Sequence, residues 1–182
     1  MQLQTCRLTI RPWRPEDLDT WAGINADPEV RRFYHPAVLT RPESDAEIER
    51  CMQHLNDRGF AFLALERRED RALIGGTGLS WTKDVPGGPA VEIGWILARR
   101  FWRRGYASEA SRAWLAHGWS VGLDQIVGYT SEINRPSREL METLGMTRDP
   151  ADDFADPTVP QASPLARHVL YRIGRPRGDG RP

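Results

Sequence analysis

The sequence predicts a single α/β (α+β) domain. Six segments with strand patterning are interleaved along the chain with four of helical period, so strands and helices alternate rather than segregate. A length of 182 residues, 20.7 kDa, suffices for one core and is too short for two full-sized enzyme domains. The domain is expected over residues 1–174, with 175–182, almost devoid of apolar residues, as a disordered tail.

Residues 7–13, RLTIRPW, place Leu8 and Ile10 on one face of a half-buried strand. Pro15, Glu16 and Asp17 open a helix to about Asn25, because proline fits a first turn and carboxylates suit its positive end. In AEIERCMQHLNDRG, residues Ile48, Cys51, Met52 and Leu55 follow the helical period, with Ser44 as the expected N-cap and Gly59 as the stop. FAFLALERR and ALIGGTGLSW read as antiparallel strands about a turn at Glu69–Asp70. After PGGP at 86–89, AVEIGWIL is the nearly continuous apolar run of a strand buried on both faces. YASEASRAWLAHGWSVG then reads as a helix ending near Gly122, DQIVGYT as a strand, INRPSRELMETLG as a capped helix stopped by Gly145, and ARHVLYRI as the last strand. The long connection between Met146 and Arg167 is rich in Asp and Pro, and loops of that length are functional or disordered.

Composition removes several function classes. Lys+Arg and Asp+Glu are each 25, so the basic excess typical of nucleic-acid binding is missing and no nucleic-acid partner is expected. No apolar run approaches the roughly 18 residues of a membrane span, and no membrane partner is expected. The first residues lack a basic segment followed by an apolar one, which predicts a cytoplasmic protein. Cys6 and Cys51 are neither dense nor spaced for disulfides or zinc, and both read as small buried hydrophobes. Lys83 is the single lysine and completes no Walker-type loop. GGTGLSW begins a G-x-G but lacks the third glycine and a following helix, so it reads as strand rather than a dinucleotide site. His35, His54, His117 and His168 show no paired spacing and read as core or surface residues. The acidic loop at 149–157 lacks an EF-hand pattern and reads as solvated, so no metal is expected.

The chemistry-bearing stretch is AVEIGWILARRFWRRGYASEA: a strand, an arginine-rich turn, then a helix beginning at Gly105-Tyr106-Ala107. Glycine there permits close backbone approach, and amides at a helix start present N–H groups to an anion, which suits pyrophosphate. Arg99, Arg100, Arg103 and Arg104 either join that cradle or form a solvated turn. Glu92 is the other anomaly, a carboxylate in an apolar strand beside this turn. Burial would raise its pKa and make it a stronger base; a partly exposed glutamate near the strand's end is the alternative.

The run Val91–Gly145, with WRRGYA followed some thirty residues later by NRPS, resembles the acetyl-CoA-binding core of the GNAT superfamily of N-acetyltransferases. RLTIRPWRPEDL, DPEVRRF and RHVLYRI extend the likeness to the branch related to ribosomal-protein-alanine N-acetyltransferases. The resemblance implies a GNAT fold, with a mixed central sheet of six to seven strands and helices on both faces, and acetyl-CoA as co-substrate. Residue by residue, it implies that the backbone amides of Arg103, Arg104, Gly105, Tyr106 and Ala107 hold the CoA pyrophosphate. Asn134 would meet the pantetheine arm or orient water near it, and Ser137 would protonate the departing thiolate. Helix capping is the alternative for both. Trp102 stands where the superfamily's loop usually has Gln or Arg. Relatives often carry histidines in the F-D-H-P and G-H-P-L segments, where this chain reads FADP at 154–157 and ASPL at 162–165, so their acceptor cannot be carried over. The implied function is acetyl transfer to a primary amine, of a protein N-terminus or a small molecule, with Ser137 and Glu92 catalytic. An acyl-CoA-binding sensor without turnover is the competing reading, and a homodimer is left open. A low-pKa amine, such as an α-amine, suits a raised-pKa glutamate better than a lysine side chain.

Overall fold

A computed structural model describes residues 1–83 and 85–176. Asp84 lies outside the described residues, as do positions 177–182 of the expected tail. The strands are β1 (Leu3–Gln4), β2 (Leu8–Arg11), β3 (Phe62–Arg67), β4 (Leu73–Thr82), β5 (Ala90–Leu97), β6 (Gln125–Ser131), β7 (Thr147–Arg148), β8 (Phe154–Ala155) and β9 (Arg167–Gly174). The α-helices are α1 (Leu18–Asn25), α2 (Pro28–Arg31), α3 (Arg41–Arg58), α4 (Tyr106–Ser120) and α5 (Arg135–Thr143). All six strands read from the sequence are present. The sheet counts nine because β1, β7 and β8, two residues each and too short to show a period, add to them.

The sheet order is β1-β2-β3-β4-β5-β6-β9-β7, with β8 also on β9. Every pairing is antiparallel except β5 with β6, so the sheet is mixed. Period-2 alternation divides its two faces. Leu63 and Ile74 face a cluster with Ala110, Trp114 and Leu115 of α4. Their chain neighbours Ala64 and Leu73 face a second cluster with Trp21 and Ile24 of α1 and Ile48 of α3. Helices therefore cover both faces. Gly78 sits where a Cβ would lie 2.1 Å from the Ala61 carbonyl oxygen, which is why the GGTG run is strand with glycine in it.

Two helix starts differ from the sequence reading. Pro15–Asp17 is a 3-10 turn, and the α-helix begins at Leu18. The cap of α3 is Thr40, whose Oγ1 accepts from the Glu43 amide while Glu43 returns a carboxylate to the Thr40 amide. Ser44 is instead a buried helical residue, its Oγ accepting from Asn25 Nδ2 at 3.0 Å. Two cysteines read as buried are also corrected: Cys6 is exposed and Cys51 half-buried, since Cys6 lies in the polar turn between β1 and β2.

Arg11 is buried and grips Asp17 bidentately at 2.7 and 2.9 Å and Glu66 at 2.8 Å, tying β2, β3 and the turn before α1 together. Arg31, Asn25, Glu47 and Trp21 form a second network, with Arg31 donating to Asn25 Oδ1 and the Pro36 carbonyl. That network fixes the segment carrying Phe33, Tyr34 and His35.

Candidate active site

The site grows from a fork in the sheet. β4 and β5 pair continuously from Gly75–Leu97 to Thr82–Ala90. β5 and β6 share one register pair, Glu92 with Val127, and then diverge. Toward their C-terminal ends each strand keeps its outer neighbour and loses its inner one, so peptide groups face the gap without a sheet partner. An extended chain with amide groups can dock there by the logic of strand addition. The fork also explains why β5 departs from burial on both faces: Glu92, Gly94 and Trp95 are half-buried because they border the opening.

β5 leads into the 3-10 turn Arg99–Phe101, pinned by Trp102 Nε1 donating to the Leu97 carbonyl at 2.7 Å. Arg103 and Gly105 are then left-handed, at φ 57° and 78°. Such a turn points successive N–H groups outward, and a non-glycine residue held there costs of order 1–2 kcal/mol. Gly105 caps α4 without a side-chain hydrogen bond, and the first helical bond is Glu109 N–H to the Gly105 carbonyl. The amides of the first turn are left for another acceptor. Arg99, Arg100, Arg103 and Arg104 are exposed, and among the described residues none pairs with a carboxylate. Arg7, by contrast, is held by Glu109 at 2.7 Å and donates to the Arg104 carbonyl at 3.0 Å. Backbone, dipole and side-chain charge together suit a diphosphate.

At the closed end of the fork a cavity of about 230 Å³ brings together Glu92 of β5, Tyr129 of β6, Ser137 of α5, and Asp156 and His168 from the far edge. Both residues that sequence reading made catalytic line it. Glu92 meets solvent through this cavity and is otherwise enclosed; burial pushes its carboxyl up to about 8, Tyr129 pulls it part of the way down, and the Asp156 charge raises it further. Burial and the Glu92 charge also raise the Tyr129 phenol, which stays protonated as a donor. A larger open cleft of about 380 Å³, lined by Cys6, Arg7, Arg67, Arg68, Glu69 and Tyr106, contains neither candidate catalytic residue.

Asn134 is the N-cap of α5: its Oδ1 accepts from the Ser137 amide at 3.4 Å, and its Nδ2 donates to Thr130 Oγ1 at 2.8 Å and Ser137 Oγ at 3.1 Å. Both amide protons are thereby committed. Ser137 Oγ is an acceptor in that bond, so its own proton is free to point into the cavity. Arg103, Arg104, Gly105, Tyr106 and Ala107 lie at the turn and not on this cavity. Sequence reading missed Tyr129, Asp156 and His168, and took the last for a core or surface residue and the acidic loop for a solvated one. Asp156 is enclosed because β8 and β9 pair around it, and no periodic signal announces a two-residue strand. Among the described residues no acidic, histidine and cysteine group could hold a metal, and no helix is long and apolar enough to cross a membrane.

A profile of the acetyltransferase (GNAT) domain matches residues 7–147. The chain belongs to the GNAT acetyltransferase family. It is an acyltransferase, and the family's acetyl donor is acetyl-CoA. An N-acetyltransferase of uncharacterised role from Bacillus licheniformis, p20, is 30% identical over 150 residues, 81% of this chain and 83% of that protein. Among solved structures, an acetyltransferase from Agrobacterium tumefaciens is 26% identical and superposes with a TM-score of 0.78, covering 96% of this chain and 95% of the other. A ribosomal L7/L12 α-N-protein acetyltransferase in complex with coenzyme A shares the GNAT fold at a TM-score of 0.78 and 13% identity, covering 96% and 98%.

Proposed function

We propose that the chain transfers the acetyl group of acetyl-CoA to a neutral primary amine in the cavity at the β5/β6 fork. The observation that carries this reading is the fork itself, which places Glu92 and Ser137 on one cavity and leads along β5 to the amide-rich turn before α4. From Glu92 to Leu97 the strand spans about 17 Å at roughly 3.3 Å per residue, comparable with the extended pantetheine arm. The amides of Arg103–Ala107 would hold the pyrophosphate, and unpaired peptide groups of the fork would hydrogen-bond the arm's two amides. Asn134 would offer its remaining Oδ1 lone pair there while orienting Ser137.

The amine nitrogen attacks the thioester carbonyl, the C–N bond forms and the C–S bond breaks. Glu92, directly or through a water, takes the proton the amine loses; Ser137 gives its proton to the departing thiolate and regains one, through water in the cavity, from the proton Glu92 has taken. Proton transfer is most effective when donor and acceptor pKa values match. A carboxyl near 8 matches an α-amine at roughly 7.7–8.0 and falls about two units short of a lysine-like amine near 10.4. The raised carboxyl thus suits a low-pKa amine better than a lysine-like one. The test is thiol release from acetyl-CoA across an amine panel of graded pKa. Turnover that tracks low amine pKa is expected; efficient turnover of lysine-like amines alone would overturn the assignment.

A further inference from the structure

The turn before α4 draws part of its support from the far end of the chain. Arg103 sits in the left-handed region, which a non-glycine residue keeps only where the surrounding structure holds it. Trp102 fixes the entrance of the turn and the first bond of α4 fixes its exit. Between them the Arg104 carbonyl accepts from Arg7 Nη1 at 3.0 Å, across 97 positions of sequence. The 104–105 peptide is trans, so its carbonyl and its N–H point in opposite directions. Holding the Arg104 carbonyl against Arg7 therefore aims the Gly105 N–H away from the β1–β2 turn, and among the described residues no acceptor takes it.

Arg7 is held in its turn. Its Nε donates to Glu109 Oε2 at 2.7 Å and its amide to Glu109 Oε1 at 2.9 Å, and Oε1 also accepts from the Thr5 hydroxyl. Its guanidinium lies over the Tyr106 ring, 4.6 Å from the centroid. Arg68, just after β3, donates from its side chain to the Thr5 and Cys6 carbonyls at 2.8 and 3.1 Å and from its amide to the Arg7 carbonyl at 2.9 Å. Burial pushes the Glu109 carboxyl up, but Thr5 and Arg7 outweigh it and hold the group below the ordinary carboxylate range, so it is ionised at neutral pH. One guanidinium thus ties the Arg104 carbonyl to the first turn of α4. The Arg7 side chain is 45% exposed, and an exposed ion pair adds little to stability. What the contact fixes is the direction of a peptide.

We propose that Arg7 is a positioning residue for the acetyl donor: through the Arg104 carbonyl it holds the turn before α4 in the conformation that presents its amides to the diphosphate. The proposal rests on the reading that the amides of Arg103–Ala107 hold that diphosphate, and it adds a residue of the β1–β2 turn that acts through the backbone of another.

The experiment is calorimetric titration of the parent and Arg7→Met with CoA and with pantetheine, which has the arm and thiol but no diphosphate. Methionine keeps an unbranched apolar stem beside Tyr106 and donates no hydrogen bond. CoA affinity should fall at least tenfold in Arg7→Met while pantetheine affinity stays within twofold of the parent, with urea denaturation showing the variant folded. In turnover with an amine of the graded panel, KM for acetyl-CoA should rise by the same factor and kcat should stay within twofold. Unchanged CoA affinity in folded Arg7→Met, or equal losses for CoA and pantetheine, the mark of general damage to the fold, would overturn the role of Arg7. A parent protein that binds CoA no more tightly than pantetheine would refute the diphosphate reading of the turn instead.

Discussion

Replacing Glu92 by Gln should make the protein more stable at alkaline pH. Burial holds the carboxyl near 8 in the folded state against an ordinary 4.5. Between those values the folded chain keeps a proton that the unfolded chain has released, so stability falls as pH rises through the window and is level above it. The full shift corresponds to about 5 kcal/mol at roughly 1.4 kcal/mol per unit. Solvent reaches the group through the cavity, and screening there brings the expected effect to about 1–3 kcal/mol. Glutamine preserves size and hydrogen bonding and never ionises, so it lacks this slope. Urea denaturation of both proteins at pH 5, 6.5, 8 and 9 reads the difference, which should be smallest at pH 5 and largest at pH 9. In kcat/KM for an amine whose own pKa lies well below the range, so that it stays neutral throughout, the parent should show an acidic limb near pH 8 that Glu92→Gln lacks. Parallel stability curves together with identical acidic limbs would refute both the burial argument and the role of Glu92 as base.

Ser137→Ala retains the capped amide and should lower kcat about ten- to a hundredfold with little change in CoA affinity, because a thiolate of pKa near 8.5 is already a tolerable leaving group. A fall in affinity with kcat preserved would make Ser137 a binding or capping residue. Gly105→Glu adds a side chain at φ 78° and a negative charge beside the turn, and should weaken CoA binding at least tenfold by calorimetry; unchanged affinity in a folded variant would dismiss the cradle. Asp17→Ala leaves the buried Arg11 guanidinium without its bidentate partner and should cost about 3–5 kcal/mol in urea denaturation, whereas a loss below about 1 kcal/mol would show Arg11 adequately held by Glu66.

Legibility from sequence followed the range of the interactions. The start of α4 at Gly105 and the cap of α5 at Asn134 are local, written in a few adjacent residues, and both stand where the pattern puts them. Glu92 was visible because a carboxylate contradicts its apolar surroundings. The start of α3 was misplaced because Thr40 and Ser44 both suit a cap, and the reciprocal bond with Glu43 decides between them. The β5/β6 fork left no trace in periodicity: both strands have ordinary patterns, and divergence is a property of their pairing. Asp156 and His168 are separated by a loop with no period, and they meet because β8 pairs with β9 in the register Phe154–His168.

The same fork sets both the geometry and the electrostatics of the site. Glu92 sits at the one position where β5 and β6 still pair, deep enough for neighbouring strands to exclude water and beside the gap where a substrate can enter. Its raised pKa is therefore a consequence of sheet topology rather than of one adjacent charge, since burial outweighs the contribution of Asp156. An acetyl-bearing arm filling the gap displaces water and favours the protonated carboxyl still further.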